Sequence, residues 1–120
     1  MAKKEPLLQV FFYKSDAGNE PVRDWLRGLS KKDKKIIGED IKTVQFGWPM
    51  GMPVVRALGK NLHETRSNLE NRIARILFTL DNNIMVLLHG FIKKARKTPK
   101  EDLAIARKRM SKQKKTKGGD

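Results

Sequence analysis

The tightest constraint on the fold lies between residues 62 and 91, where three short runs rich in strand-forming residues are divided by two turn-forming breaks. Leu62 to Ser67, Arg72 to Leu80 and Ile84 to Phe91 are separated by Asn68-Leu69-Glu70-Asn71 and by Asp81-Asn82-Asn83, lengths and residue types that suit hairpins. Strands joined this closely pair with their sequence neighbours, so the segment reads as an antiparallel meander. Period-two alternation places Arg72, Ala74, Ile76 and Phe78 on one face of the middle strand and Ile73, Arg75, Leu77 and Thr79 on the other. Neither face is purely polar or purely apolar. An arginine among such neighbours needs a carboxylate or a ligand, because an unpaired buried charge is costly.

The remaining elements are arranged around this meander. Leu7 to Tyr13 is apolar and aromatic-rich, bounded by Pro6 and by Ser15-Asp16-Ala17-Gly18-Asn19, and reads as a buried strand. Pro21 opens a helix with Val22, Trp25, Leu26 and Leu29 on one face, limited by Gly28 and Ser30. Ser30 then caps a second helix, with Asp33 in its first turn and Ile37, Ile41 and Val44 facing one way, until Gly47-Trp48-Pro49 stops it. The two form a helical hairpin able to lie across the sheet. Gly47 to Pro53 is a loop, and Val54 to Lys60 leads into the next extended segment. Thr98-Pro99-Lys100-Glu101 has the pattern of a capping box with proline at the first helical position. It opens a last helix with a narrow stripe of Leu103, Ala106 and Met110, whose Arg107, Lys108 and Arg109 suit a helix C-terminus. The expectation is a two-layer α+β domain over residues 1–110 in the order β-α-α-β-β-β-α.

Charge is unevenly spread. Residues 1–92 carry 15 basic and 10 acidic side chains, whereas residues 93–120 carry 12 basic and 3 acidic, and the whole chain has a formal net charge of +14. A field of this sign attracts polyanions or an acidic protein. Residues 111–120 contain no apolar side chain and read as a basic, disordered tail. The 120 residues offer no stretch apolar enough to span a membrane, and the first residues lack a signal-peptide core, so a soluble, cytoplasmic protein is expected. Cysteine is absent, which removes disulfides, thiolate nucleophiles and thiolate zinc sites, and with two histidines no metal or other cofactor is expected. No phosphate-binding glycine loop or nucleophile elbow occurs.

What remains for chemistry is a concentration of cations on the strands and just after them: Arg66, Arg72, Arg75, Lys93, Lys94, Arg96 and Lys97. If Arg66 and Arg75 lie on neighbouring strands they converge on one patch, which can bind an RNA phosphate and stabilise the charge that develops as a 2′-hydroxyl attacks it. Each residue also has a plainer account. Arg66 can pair with Glu64 or Glu70, and residues 93–97 can be a solvated charge run. His89, among Leu87, Leu88 and Phe91, suits either proton transfer or a packed, hydrogen-bonded role, and the same holds for His63. Phe91 lies near the cations and can stack a base.

Several segments taken in order resemble the RelE/ParE superfamily of bacterial toxins, most closely its HigB-like, phage-associated branch. They are Leu62-His63-Glu64-Thr65-Arg66, Arg75-Ile76-Leu77-Phe78, Val86 through Lys94, and Lys97-Thr98-Pro99, together with Phe12-Tyr13 and Pro21-Val22, and they span about residues 8–110. The resemblance implies a small α+β toxin neutralised by an antitoxin, and an mRNA interferase that cuts messages at the ribosome without a metal. It matches Arg66 and Arg75 to strand cations that bind phosphate and stabilise the transition state, and Lys93 and Lys94 to the basic end of the last strand. The C-terminal catalytic tyrosine of the best-known members has no counterpart, since Tyr13 is the sole tyrosine, and Thr65 replaces a usual leucine. His89 and Glu64 then stand as candidates for acid and base. The alternatives are a ParE-like inhibitor of DNA gyrase and a noncatalytic nucleic-acid-binding module.

Overall fold

The computed structural model describes residues 6–93 and 97–118. Its elements are β1 (Gln9–Phe12), α1 (Pro21–Arg27), α2 (Lys31–Gly47), β2 (Val55–Gly59), β3 (Leu62–Leu69), β4 (Arg72–Asp81), β5 (Ile84–Lys93) and α3 (Lys100–Gly118). The class is α+β, as the sequence indicates. The five strands form one mixed sheet in the order β1-β5-β4-β3-β2. β2 to β5 are the antiparallel meander, and β1 adds to its edge parallel to β5.

β2 is a strand where the sequence suggested only a lead-in. It is joined to β3 by Lys60-Asn61, both with positive φ (51° and 61°), the backbone that a tight hairpin with right-handed strand twist requires. Asparagine tolerates this region but lysine gives no hint of it, so the turn was hidden. The other hairpins are likewise tighter than the sequence breaks, with Asn71 and Asn82 in the same left-handed conformation.

The predicted alternation in β4 holds. Ala74, Ile76 and Phe78 join Ile37, Ile41 and Val44 of α2 and Val22 of α1 in the larger core. Ser30 caps α2 by accepting the Asp33 amide at 3.1 Å. On the opposite face, Leu62, Leu77, Val86 and Leu88 meet Ala106 and Met110 of α3. α3 therefore covers part of the face that α1 and α2 leave free.

α3 departs from the sequence reading at both ends. Its first intrahelical acceptor is the Pro99 carbonyl, bonded by the Leu103 amide at 3.0 Å, so Thr98 is not the cap. At the other end helical backbone runs past Met110 through the basic stretch to Gly118. Arg107, Lys108 and Arg109 consequently sit in mid-helix, and the favourable dipole of a C-terminus, which fades within one turn, does not account for them.

A bulge sets the phase of β5. Leu77 pairs with His89 but Phe78 pairs with Leu87, leaving Leu88 as the extra residue. Beyond it, His89 and Phe91 share the α3 side with Arg75 and Leu77, and Gly90 faces α1. A Cβ at Gly90 would lie 2.5 Å from Trp25 Cε3. Gly90→Ala is expected to cost about 1–3 kcal/mol through overpacking, and the double variant with Trp25→Leu to regain part of it, both read from urea unfolding midpoints.

His63 lies on the helical-hairpin side, stacked on Phe78 with centroids 5.2 Å apart and edge-on to Trp48 at 5.1 Å. Burial pushes its pKa below the ordinary 6.5. The unfolded chain takes up this proton near 6.5 and the folded chain only at lower pH. Stability is therefore full above 6.5 and is lost as pH falls toward the folded value. Solvent screens the half-buried ring, so the slope stays below the one-proton limit of about 1.4 kcal/mol per pH unit. His63→Phe should flatten that dependence in denaturation curves taken across this window.

Candidate nucleic-acid interface

The site grows from the register of three strands. Arg66 on β3 pairs directly with Arg75 on β4, and Arg75 with Phe91 on β5. One step along the sheet, Arg56 on β2, Glu64, Leu77 and His89 form a second row. Side chains directly opposite in antiparallel strands share a face, so both rows look toward α3. Two arginines set side by side repel, and the sheet compensates with a carboxylate placed next to them.

That carboxylate is Glu64, fully buried at 0% exposure, beside Arg75 at 1%. Glu64 Oε1 lies 3.5 Å from Arg75 Nη1, and Glu64 Oε2 accepts a 2.6 Å hydrogen bond from Thr98 Oγ1. The pair supplies the carboxylate that an arginine in an apolar strand demanded. Thr98 is thereby drawn from its expected cap position to satisfy a buried anion, the costlier group to leave bare. The next residue back, Lys97, comes with it to the rim of the site.

Above the pair is a shallow groove of about 500 Å³ lined by Met52, Arg56, Arg66 and Lys97. The carboxylates that the sequence offered Arg66 are taken elsewhere, Glu64 by Arg75 and Glu70 by Lys32 at 3.6 Å. Arg56, Arg66 and Lys97 make no ion pair among the described residues, so their charge is available to an anion. Arrays of this kind bind phosphate and stabilise charge developing on it.

His89 is held at both ring nitrogens. Nε2 lies 2.6 Å from Asp102 Oδ1, and Arg109 Nη1 reaches Nδ1 at 3.4 Å while donating to the Leu88 carbonyl at 2.8 Å. With Asp102 ionised, neutral His89 donates from Nε2 and accepts at Nδ1, which ties β5 to α3. Phe91 stacks on this ring with centroids 5.4 Å apart. Among the described residues no three His, Asp or Glu side chains gather as a metal-binding group.

Of the residues singled out in the sequence, the fold brings together Arg66, Arg75, Glu64, Lys97, His89 and Phe91. Lys93 closes β5 opposite Ile73, and Lys94 and Arg96 lie outside the described residues. Arg72 is not part of the group. It sits on the opposite face, where its guanidinium joins the buried Asp33 carboxylate and clamps the start of α2 to the sheet. The sequence reading missed Arg56, because β2 was not seen as a strand, and missed Asp102 and Thr98 as partners of His89 and Glu64, because contacts across 13 and 34 positions leave no local pattern.

Residues 24–111 match the family described as Phage derived protein Gp49-like (DUF891), which lies within the RelE/HigB-like group of toxin families. The chain belongs to the Gp49-like family. Membership of this toxin-like family implies an antitoxin partner, and the related RelE-like toxins are endoribonucleases. No curated protein matches the chain significantly. Among the described residues no helix is long and apolar enough to cross a membrane.

Arg75→Ala would leave the Glu64 carboxylate buried without its ion-pair partner, and a loss of about 3–5 kcal/mol is expected in urea unfolding. Glu64→Gln combined with Arg75→Met, which removes both charges and keeps an acceptor for Thr98, should recover most of it.

Proposed function

We propose that this Gp49-like chain is the toxin of a type II toxin–antitoxin pair, HigB-like, and acts as an mRNA interferase on translated messages at the ribosome. The observation that carries the reading is the groove over Glu64 and Arg75, where Arg56, Arg66 and Lys97 present positive charge with no ion pair among the described residues. In this reading an RNA phosphate lies in the groove. Its 2′-hydroxyl gives its proton to water and bonds to phosphorus as the bond to the 5′-oxygen breaks, that oxygen takes a proton from water, and the extra negative charge on the phosphoryl oxygens is met by Arg66, Lys97 and Arg56. Arg75 adds positive potential from beneath, held in place by Glu64. His89 and Phe91 keep α3 and the groove floor in register, and Phe91 offers a ring beside the cations. Lys93, the last residue of β5, and Lys94 and Arg96 after it add further positive charge to the sequence leading to Lys97.

An acidic antitoxin segment is the natural complement to a +14 chain, and its approach is accelerated by that charge. The test is mapping of mRNA 5′ ends in cells after brief induction of wild type, Arg66→Ala and Lys97→Ala. These are surface cations, so folding should survive, which circular dichroism checks. New ends inside reading frames, reduced by about 10²-fold in each variant, are expected. Growth arrest with intact messages and trapped gyrase complexes would instead favour gyrase inhibition. Unchanged cleavage in both variants would remove the groove from the mechanism.

A further inference from the structure

α3 has a second polar face that the groove does not use. Ile105, Lys108, Arg109 and Lys112 fall at i, i+3, i+4 and i+7, so they line one side of the helix, next to the core stripe of Ala106 and Met110. Opposite them lies the loop between β1 and α1. Between the two is a cavity of about 400 Å³, bounded by these four residues and by Ser15 and Asn19. Tyr13 and Pro21 complete its wall.

Arg109 is the unusual group. Burial pulls its pKa below the ordinary arginine value, and its neighbours are the Leu88 carbonyl, the His89 ring and the face of Tyr13 at 6.0 Å. No carboxylate among the described residues pairs with it. Nη1 makes both polar contacts, so Nε and Nη2 remain as donors with no partner among the described residues. Lys108 also has no ion pair among the described residues, and Lys112 meets only the exposed Asp16 at 3.9 Å. The position of these cations in mid-helix removes the dipole as their explanation. Ser15 Oγ accepts the Asn19 amide at 3.0 Å, which leaves its hydroxyl proton free to donate inward.

We propose that this cavity is a binding site for the phosphate monoester of a nucleotide, separate from the groove over Glu64 and Arg75. Three cations less the Asp16 carboxylate match a dianion, which a phosphate monoester is at neutral pH and a backbone phosphodiester is not. Arg109 supplies a fork of donors, Lys108 and Lys112 supply point charges, and Ser15 and Asn19 supply neutral donors. The volume exceeds what a bare phosphate fills and lies in the range of small-ligand sites. Ile105 and Pro21 give the remaining space an apolar wall suited to a sugar or base. The phosphate can come from a free mononucleotide or from the 5′-phosphorylated end of an RNA strand.

NMR titration of the full chain distinguishes these cases, following the Arg109 Nε–H and the Asn19 side-chain amide. The probes are adenosine 5′-monophosphate, adenosine, and a short 2′-O-methyl RNA with either a 5′-phosphate or a 5′-hydroxyl. Saturable shifts at both reporters with the monophosphate but not with adenosine are expected. Lys108→Ala with Lys112→Ala, two exposed positions, should weaken that binding about tenfold, the effect of losing charge-assisted contacts. Arg66→Ala should leave it unchanged. Tighter binding of the 5′-phosphorylated RNA than of both the mononucleotide and the 5′-hydroxyl RNA identifies a strand end as the source. Equal or tighter binding of the mononucleotide identifies a free nucleotide. Absence of saturable shifts, equal response to adenosine, or undiminished binding in the double variant would each overturn the site. The result is independent of whether the groove cleaves RNA, because every probe resists cleavage.

Discussion

The Glu64–Arg75 ion pair is the interaction on which the rest of the molecule is arranged. Two charges with almost no solvent access are tolerable only when paired and hydrogen-bonded, and the fold brings the partners from three segments. β3 and β4 bring the pair into register, and the segment before α3 contributes Thr98 to Glu64. A hydrophobic pair of similar volume would give a sheet of equal or greater stability. The pair is thus better understood as a fixed electrostatic floor, whose ends are a cationic surface and a loop that carries Lys97 to it.

α3 is fastened to the sheet by unlike means along its length. Its apolar contribution is narrow, and the polar attachments are spread from Thr98 through Asp102 and Arg107 to Arg109. The groove meets this attachment at Lys97, just before the helix, and the second hollow meets it from Ile105 to Lys112. One lies over the sheet and the other between α3 and the loop before α1.

Much of this was legible in the sequence because it is encoded locally. Period-two alternation in β4, the Ser30 cap and the 3.6-residue spacing of Ile37, Ile41 and Val44 each operate within a few residues, and each carried through to the structure. The requirement for a partner at Arg75 was also readable, since it follows from the apolar character of its neighbours. What was not readable depends on pairing between distant segments. Thr98 presents all the features of a cap, and only the position of Glu64 shows why its hydroxyl goes elsewhere. Arg72 and Arg75 look alike in one dimension, yet parity puts them on opposite faces with opposite tasks. Arg56 became visible only once Lys60 and Asn61 were seen to turn the chain.

The extra residue at Leu88 acts on β5 as a frameshift acts on a message. Upstream of it one parity faces α3, and downstream the other does, so His89, Gly90 and Phe91 occupy their places because of a count and not because of local preference. Without the bulge, the same residues in a regular ladder would set Leu88 opposite Leu77 and His89 opposite Ile76, handing the gap beside Trp25 to a ring and turning Gly90 toward α3. Substitutions in this stretch change one contact at a time, but a change of phase exchanges an entire set. The strand is therefore constrained in phase as firmly as in composition, and variation among chains of this fold should be admitted at the hairpin tips, where an added residue leaves the parity of the sheet intact.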